Sequence, residues 1–138
     1  MSNESLVQTI KEIIALARGD KIDEAYQRYA KLFSSAEFSK YKPEDQRQAL
    51  RLMVFAKGVP DAPTPKMVEA HRAALGPLSK LVTDQKEPAD HELLGICYVA
   101  CGDEQNASQV FRAGLALERE RNPQSDLCGA LMKRVSLL

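Results

Sequence analysis

The chain has 138 residues, 44% of them hydrophobic, and its 19 basic and 19 acidic side chains give a formal net charge of zero. This length and composition predict one domain over residues 1–138, with enough apolar content for a core that needs neither disulfides nor metal. Because no window carries a run of five or more like charges, the sequence lacks the basic patch that nucleic acid or an anionic membrane surface requires, and we expect neither as a partner.

The first two predicted helices form a hairpin. From Leu6 onward, apolar residues recur at steps of three and four, which is typical of one face of a helix, and this helix ends at Gly19. After the turn Gly19-Asp20, the same period continues from Ile22 to Phe33. Two helices joined by so short a turn pack antiparallel.

A third helix is predicted to begin at Pro43 and to end at Gly58. Proline suits the first turn of a helix, and the acidic residues Glu44 and Asp45 favour the positive end of the helix dipole. The segment 59–63 contains two prolines and cannot continue the helix, because proline lacks the amide donor. We interpret this segment as a stiff connector, with docking into an aromatic groove elsewhere as the alternative.

Four more helices complete the chain. Thr64 is the predicted N-cap of the fourth, which continues to Thr83, and Gly76-Pro77 is expected to kink or split it. The last three are predicted from Pro88 to Cys101, from Asp103 to about Arg121, and from Ser125 towards Leu137. No segment alternates apolar and polar residues over the length of a strand, so we predict an all-α fold.

Gly95, Tyr98, Ala107 and Phe111 lie on the fifth and sixth predicted helices at a spacing that resembles the tetratricopeptide repeat. The resemblance implies antiparallel hairpins stacked as a short solenoid, here about three hairpins and a C-terminal capping helix. The first hairpin keeps the second half of the pattern, and the middle hairpin only hints at it. A helical bundle is the alternative, and it differs because in a solenoid the first and third hairpins share few contacts.

The same resemblance implies that the first helix of each hairpin lines a concave groove for a partner. This groove would have an apolar floor and a basic edge. The residues expected to line it are Ile10, Ile14, Arg18, Ala49, Met53, Lys57, Glu92, Ile96 and Val99.

Catalytic and metal chemistry find little support in the sequence. Cys97 and Cys101 are four residues apart on one helix, but a closed zinc site needs four ligands, and we interpret these cysteines as small packing residues. His71 and His91 belong to no HExxH motif, and there is no glycine-rich phosphate loop. We therefore expect no enzyme, no catalytic residue, no cofactor and no metal.

The predicted function is a protein–protein interaction module, an adaptor or chaperone that binds a peptide or amphipathic helix of another protein. The alternative is a self-associating helical domain, in which the final helix pairs with a second copy to form a homodimer instead of capping the solenoid. The absence of a long apolar segment, the lack of a signal peptide in residues 1–5 and three cysteines without a secreted spacing predict a cytoplasmic protein.

Overall fold

The computed structural model describes residues 3–57 and 62–138, and this part of the chain is all-α, as predicted. A short 3-10 helix (Phe38–Lys40), which the sequence analysis did not foresee, joins the second and third helices. The seven α-helices of the described residues are α1 (Glu4–Arg18), α2 (Ile22–Ser34), α3 (Pro43–Val54), α4 (Pro65–Gln85), α5 (Pro88–Ala100), α6 (Glu104–Arg121) and α7 (Asp126–Ser136).

Side-chain caps explain where several helices begin. The Thr64 hydroxyl accepts a hydrogen bond from the backbone N–H of Met67 at 3.2 Å, which confirms the predicted N-cap of α4. Asp103 and Ser125 cap α6 and α7 in the same way. These bonds satisfy backbone donors that a helix N-terminus otherwise leaves without a partner.

The third and fourth helices differ from their predicted bounds. Helix α4 continues through Pro77 without interruption, so Gly76-Pro77 does not split it, and the kink that was the other expectation stays a prediction. Helix α3 ends at Val54, before the predicted end at Gly58. Gly58 itself and most of the predicted loop at 59–63 lie outside the described residues.

The helices pack mainly on their neighbours in the chain. Within hairpins, α1 packs on α2, α3 on α4 and α5 on α6, and the contact between α2 and α4 is the most extensive one that joins two hairpins. Among the described residues, the first hairpin makes no extensive contact with the third. A stack of hairpins predicts this sequential arrangement. The closer likeness to a tetratricopeptide solenoid stays a prediction.

A continuous core runs through α1 to α5, and α6 and α7 enclose a second cluster. Ile13, Leu50 and Leu78 are completely buried in the first cluster. In the second, Leu131 of α7 is buried with Phe111 of α6, so α7 covers an apolar face of α6. Each such side chain contributes about 1.5–3 kcal/mol by leaving water.

An aromatic cluster fixes the connection between α2 and α3. The rings of Tyr29 and Phe33 lie 5.6 Å apart, those of Phe33 and Phe38 5.2 Å, and those of Phe38 and Tyr41 6.5 Å. Gln46 of α3 donates hydrogen bonds back to the carbonyl oxygens of this connection. Tyr29 is therefore held in place by packing as well as by its own helix.

Ion pairs join three of the helices. Arg47 of α3 binds both carboxylate oxygens of Asp90 on α5, at 2.6 and 2.8 Å, and the Asp90 side chain is fully buried. Arg134 of α7 pairs with Glu92 of α5 at 2.7 Å. Helix α5 is thus tied to both α3 and α7 by charge as well as by apolar contact. Across the helices described here, none combines the length and the apolar character needed to cross a lipid bilayer.

Candidate functional site

A groove of about 640 Å³ opens between α1 and α3, with α2 at its base, and we call it the α1–α3 groove. Helix α1 contributes Ile13, Ile14, Ala17 and Arg18, and α2 contributes Ile22, Ala25, Tyr26 and Tyr29. The opposite wall consists of Gln48, Arg51, Leu52, Phe55, Ala56 and Lys57. The groove exists because, in the described part of the chain, α1 and α3 make no extensive contact with each other.

The floor of the groove is apolar except for two tyrosine hydroxyls. Tyr26 and Tyr29 are 3 and 6% exposed. Neither hydroxyl bonds to another described residue, and neither oxygen is fully sealed from solvent. Burial raises the pKa of Tyr26, and burial together with the nearby Tyr26 raises the pKa of Tyr29 to about 12. Both phenols are therefore protonated at neutral pH and can donate hydrogen bonds.

The rim of the groove combines exposed apolar side chains with positive charge. Leu52 and Phe55 are 37 and 38% exposed. Arg18, Arg51 and Lys57 stand beside them, and none of the three forms an ion pair with another described residue. The Arg51 guanidinium lies 5.1 Å from the centre of the Phe55 ring, a cation–π contact that holds both side chains on the same wall.

Some of the predicted groove residues lie in this groove and others lie in the core. Ile14, Arg18 and Lys57 line it. Ile10, Ala49 and Met53 are buried in the first core cluster, because the apolar stripe of α1 and α3 faces inward there. Their side chains support the walls of the groove but do not reach its surface.

The three predicted residues of α5 are elsewhere. Glu92 is buried and pairs with Arg134 of α7, and Ile96 packs half-buried against the cluster of α6 and α7. Val99 is exposed, but it is not among the residues that line the α1–α3 groove. Since Glu92 and Ile96 pack towards α7 and Val99 lies outside the groove, the groove is confined to the first two hairpins instead of extending along all three.

The sequence analysis did not assign the floor of the groove to a binding site. The sequence places both tyrosines in the apolar period of the second helix, and Tyr29 also belongs to the part of the repeat pattern that the first hairpin keeps. The signal in the sequence was that two tyrosines, rather than two aliphatic residues, occupy neighbouring positions of one buried face. Each brings a hydroxyl that must find a partner or water, and such a group on a buried face often marks a site.

The histidines and cysteines that could act in catalysis or metal binding do not lie together at one place in the fold. His71 and His91 are buried. Nδ1 of His71 lies within hydrogen-bond distance of the Met67 carbonyl oxygen on the same helix, and Nδ1 of His91 lies within hydrogen-bond distance of the carbonyl oxygen of Glu87, the residue before α5. Cys97 is completely buried and Cys101 partly so. Over residues 3–57 and 62–138, no three His, Cys, Asp or Glu side chains come together in a way that could hold a metal ion.

Comparisons with protein-family models, with curated proteins and with solved structures find no significant match. The function of the groove must therefore be inferred from its own features. These are its size, an apolar floor with two hydroxyl donors, and a rim with apolar side chains and cations, and neither the hydroxyls nor the cations have a hydrogen-bond or ion-pair partner in the described part of the chain. Volumes of about 300–1,000 Å³ are typical of ligand-binding clefts.

Proposed function

We propose that the protein is a cytoplasmic protein–protein interaction module, an adaptor or chaperone, that holds a helix or peptide segment of a partner protein in the α1–α3 groove. The observation that carries the proposal is the continuity of apolar surface from the buried floor to the exposed rim at Leu52 and Phe55. Exposed apolar side chains grouped around a concavity mark interaction sites, because covering them removes apolar area from water.

The likeness of α5 and α6 to a tetratricopeptide repeat supports the same proposal. In the family that this pattern resembles, the first helix of each hairpin faces the partner. Helices α1 and α3 are the first helices of their hairpins, and they form the two walls of the groove. A partner segment lying between them would contact both walls and rest on α2.

Selection from a displayed library of random peptides, about 16 residues long, tests the proposal without requiring the natural partner. We expect selected peptides to lose at least about tenfold in affinity for Phe55→Glu, because a central aromatic contact is replaced by a charge that must be desolvated. Isothermal titration calorimetry on the purified chain measures the loss.

Val99→Glu is the matched control. It introduces the same charge at an apolar side chain that is 42% exposed, on α5 and outside the groove. Affinity equal to that of the original chain is expected for this variant. Peptides that bind both variants as tightly as the original chain would place the binding site elsewhere. Met53 is unsuitable for such a test, because it is 1% exposed and a charge there would unfold the protein.

Self-association through α7 remains a second candidate, and one observation favours it. Met132 is 48% exposed on α7, beside a shallow cleft that α6 and α7 form with Leu115 and Val135. If this surface pairs with a second copy, sedimentation velocity at rising protein concentration shows a dimer that Met132→Glu abolishes. A chain that stays monomeric at about millimolar concentration excludes this function, since stable dimers form well below that level.

A further inference from the structure

The groove offers hydrogen-bond donors and positive charge but few acceptors. The side chains of Tyr26 and Tyr29 are buried, but their hydroxyl oxygens reach the groove surface, and neither hydroxyl has a hydrogen-bond partner among the described residues. As protonated phenols in an apolar floor, they favour an occupant that brings an acceptor oxygen. No acidic side chain lines this groove among the described residues.

Three cations on the rim point to the same kind of occupant. Arg18 and Arg51 each lie in the last turn of their helices, and Lys57 follows α3. Cations at these positions are also stabilised by the negative ends of the two helix dipoles. That role, however, does not require them to converge on one groove, and all three line it.

The shape of the groove favours a helix over a small molecule. Its apolar wall on the side of α3 continues to the exposed rim. A small ligand on the floor would therefore leave Leu52 and Phe55 exposed to solvent. An amphipathic helix can contact both walls with one face, and its flanking positions point towards the rim.

We propose that the occupant of the α1–α3 groove is an acidic amphipathic helix of a partner protein. Its apolar side chains cover Ile14, Leu52 and Phe55, its carboxylates pair with the rim cations, and an acceptor oxygen takes a hydrogen bond from the floor tyrosines. This inference rests on the proposed function and adds the chemistry of the partner. The charges determine which partner binds and in which orientation, and the apolar contact provides most of the affinity.

Three synthetic helical peptides test the inference with the full chain. The peptides share one leucine face, and all of their remaining positions carry Glu in the first peptide, Gln in the second and Lys in the third. Their binding is measured by fluorescence anisotropy at low and high salt. We expect the Glu peptide to bind tightest and the Lys peptide weakest, with each rim cation changing the affinity by up to about fivefold. High salt should reduce the differences, because the rim charges are exposed.

Variants then locate the interaction. Arg18→Gln with Arg51→Gln should remove most of the preference for the Glu peptide over the Gln peptide. Arg112→Gln with Arg119→Gln is the matched control, because these arginines flank the apolar cleft of α6 and α7 instead. Tyr29→Phe removes one floor hydroxyl and keeps the shape of the ring. It should weaken binding of the Glu peptide severalfold without lowering the melting temperature of the protein.

The outcomes separate this inference from the proposed function. If all three peptides bind equally and Phe55→Glu abolishes binding of each, the groove binds apolar helices and the acidic preference is overturned. If the Glu peptide binds but responds only to the control pair of arginines, the assignment to this groove is overturned. If no peptide binds, both the proposed function and the inference fail.

Discussion

The environment of His71 predicts that the stability of the protein depends on pH. It is 3% exposed on α4, and its ring lies 6.3 Å from that of Tyr26 on the groove floor. Burial lowers the pKa of His71 below its usual value of 6.5, and the hydrogen bond to the Met67 carbonyl offsets only part of this effect. The folded protein therefore holds His71 neutral, with Nδ1 protonated to donate that bond.

We expect the free energy of unfolding to decrease as the pH falls below about 6.5, because the unfolded chain then binds a proton at His71 that the folded chain excludes. Above that pH the contribution is fully present, and it is lost progressively towards the lower pKa of the folded state. Urea unfolding between about pH 7.5 and pH 5 measures the slope. The slope should be smaller in His71→Gln, and equal slopes in the two proteins would contradict the assignment.

The cysteines are expected to differ in reactivity, since only the thiolate is nucleophilic. Burial, with a smaller effect of Cys101, raises the pKa of Cys97 to about 12, and Cys97 is also inaccessible. Cys101 is partly exposed, although burial raises its pKa as well. Mass spectrometry after brief treatment with iodoacetamide should find Cys101 labelled before Cys97 and Cys128. In urea the three should react alike, which provides the control.

Among pairs of elements, α5 and α6 approach closely because glycines lie at their contact. A Cβ at Gly95 would overlap the ring of Phe111, and a Cβ at Gly114 would lie 2.6 Å from the Cβ of His91. Phe111 is 2% exposed, so its ring has little room to move. The small residues that suggested a repeat pattern therefore have a packing role in the structure.

Gly95→Ala should lower the free energy of unfolding by about 1–3 kcal/mol, because overpacking outweighs the gain of about 1 kcal/mol in helix propensity. Gly129→Ala is the matched control on α7, where an added Cβ meets nothing within 4 Å. That variant should be more stable by about 0.5–1 kcal/mol. Chemical denaturation of the two variants decides the point, and a stabilised Gly95→Ala would show that the two helices can separate.

The Arg47–Asp90 pair joins α3 to α5, and we expect its loss to lower the free energy of unfolding more than the loss of an exposed pair does. Arg47→Met leaves the Asp90 carboxylate buried without its partner and should cost about 3 kcal/mol. Arg121→Met breaks the exposed pair with Glu87, at the start of α5, and should cost less than about 1 kcal/mol. The double variant Arg47→Met with Asp90→Leu should recover much of the loss. Similar melting temperatures for both single variants would contradict this difference.

At the scale of the whole molecule, the sequential packing predicts an uneven distribution of stability. Helix α5 contacts α3, α4, α6 and α7, whereas the only extensive contact of α1 in the described part of the chain is with α2. Native-state hydrogen exchange should therefore find the slowest amides in α5 and much faster exchange in α1. A closed bundle with one cooperative unit would give uniform protection instead.

A bound helix should change this distribution in the first hairpin. Covering the α1–α3 groove adds contacts to α1 that the free protein lacks, so a peptide that binds there should slow exchange in α1 and α3 more than in α6 and α7. The same experiment with Phe55→Glu provides the control. Protection that rises mainly in α7 would favour the surface around Met132.

The helices could be predicted from the sequence because their signals are local. The period of apolar residues, the prolines at first turns and the capping side chain of Thr64 all act within a few residues, and the structure has a helix at each predicted place. The unforeseen 3-10 helix at Phe38–Lys40 depends instead on Phe38 packing against Phe33 of α2. No local pattern indicates such a contact.

The position of the groove was decided by tertiary structure. An all-α chain of short amphipathic helices with a balanced charge could be predicted from the sequence, because periodicity and composition are properties of the chain alone. Which apolar faces are buried depends on which helices meet: α2 packs on α4, α7 covers α6 and pairs with Glu92 of α5, and α1 makes no extensive contact with α3 among the described residues. Contacts between residues distant in sequence therefore placed Met53 in the core and left Tyr26, Tyr29 and Phe55 to form the groove.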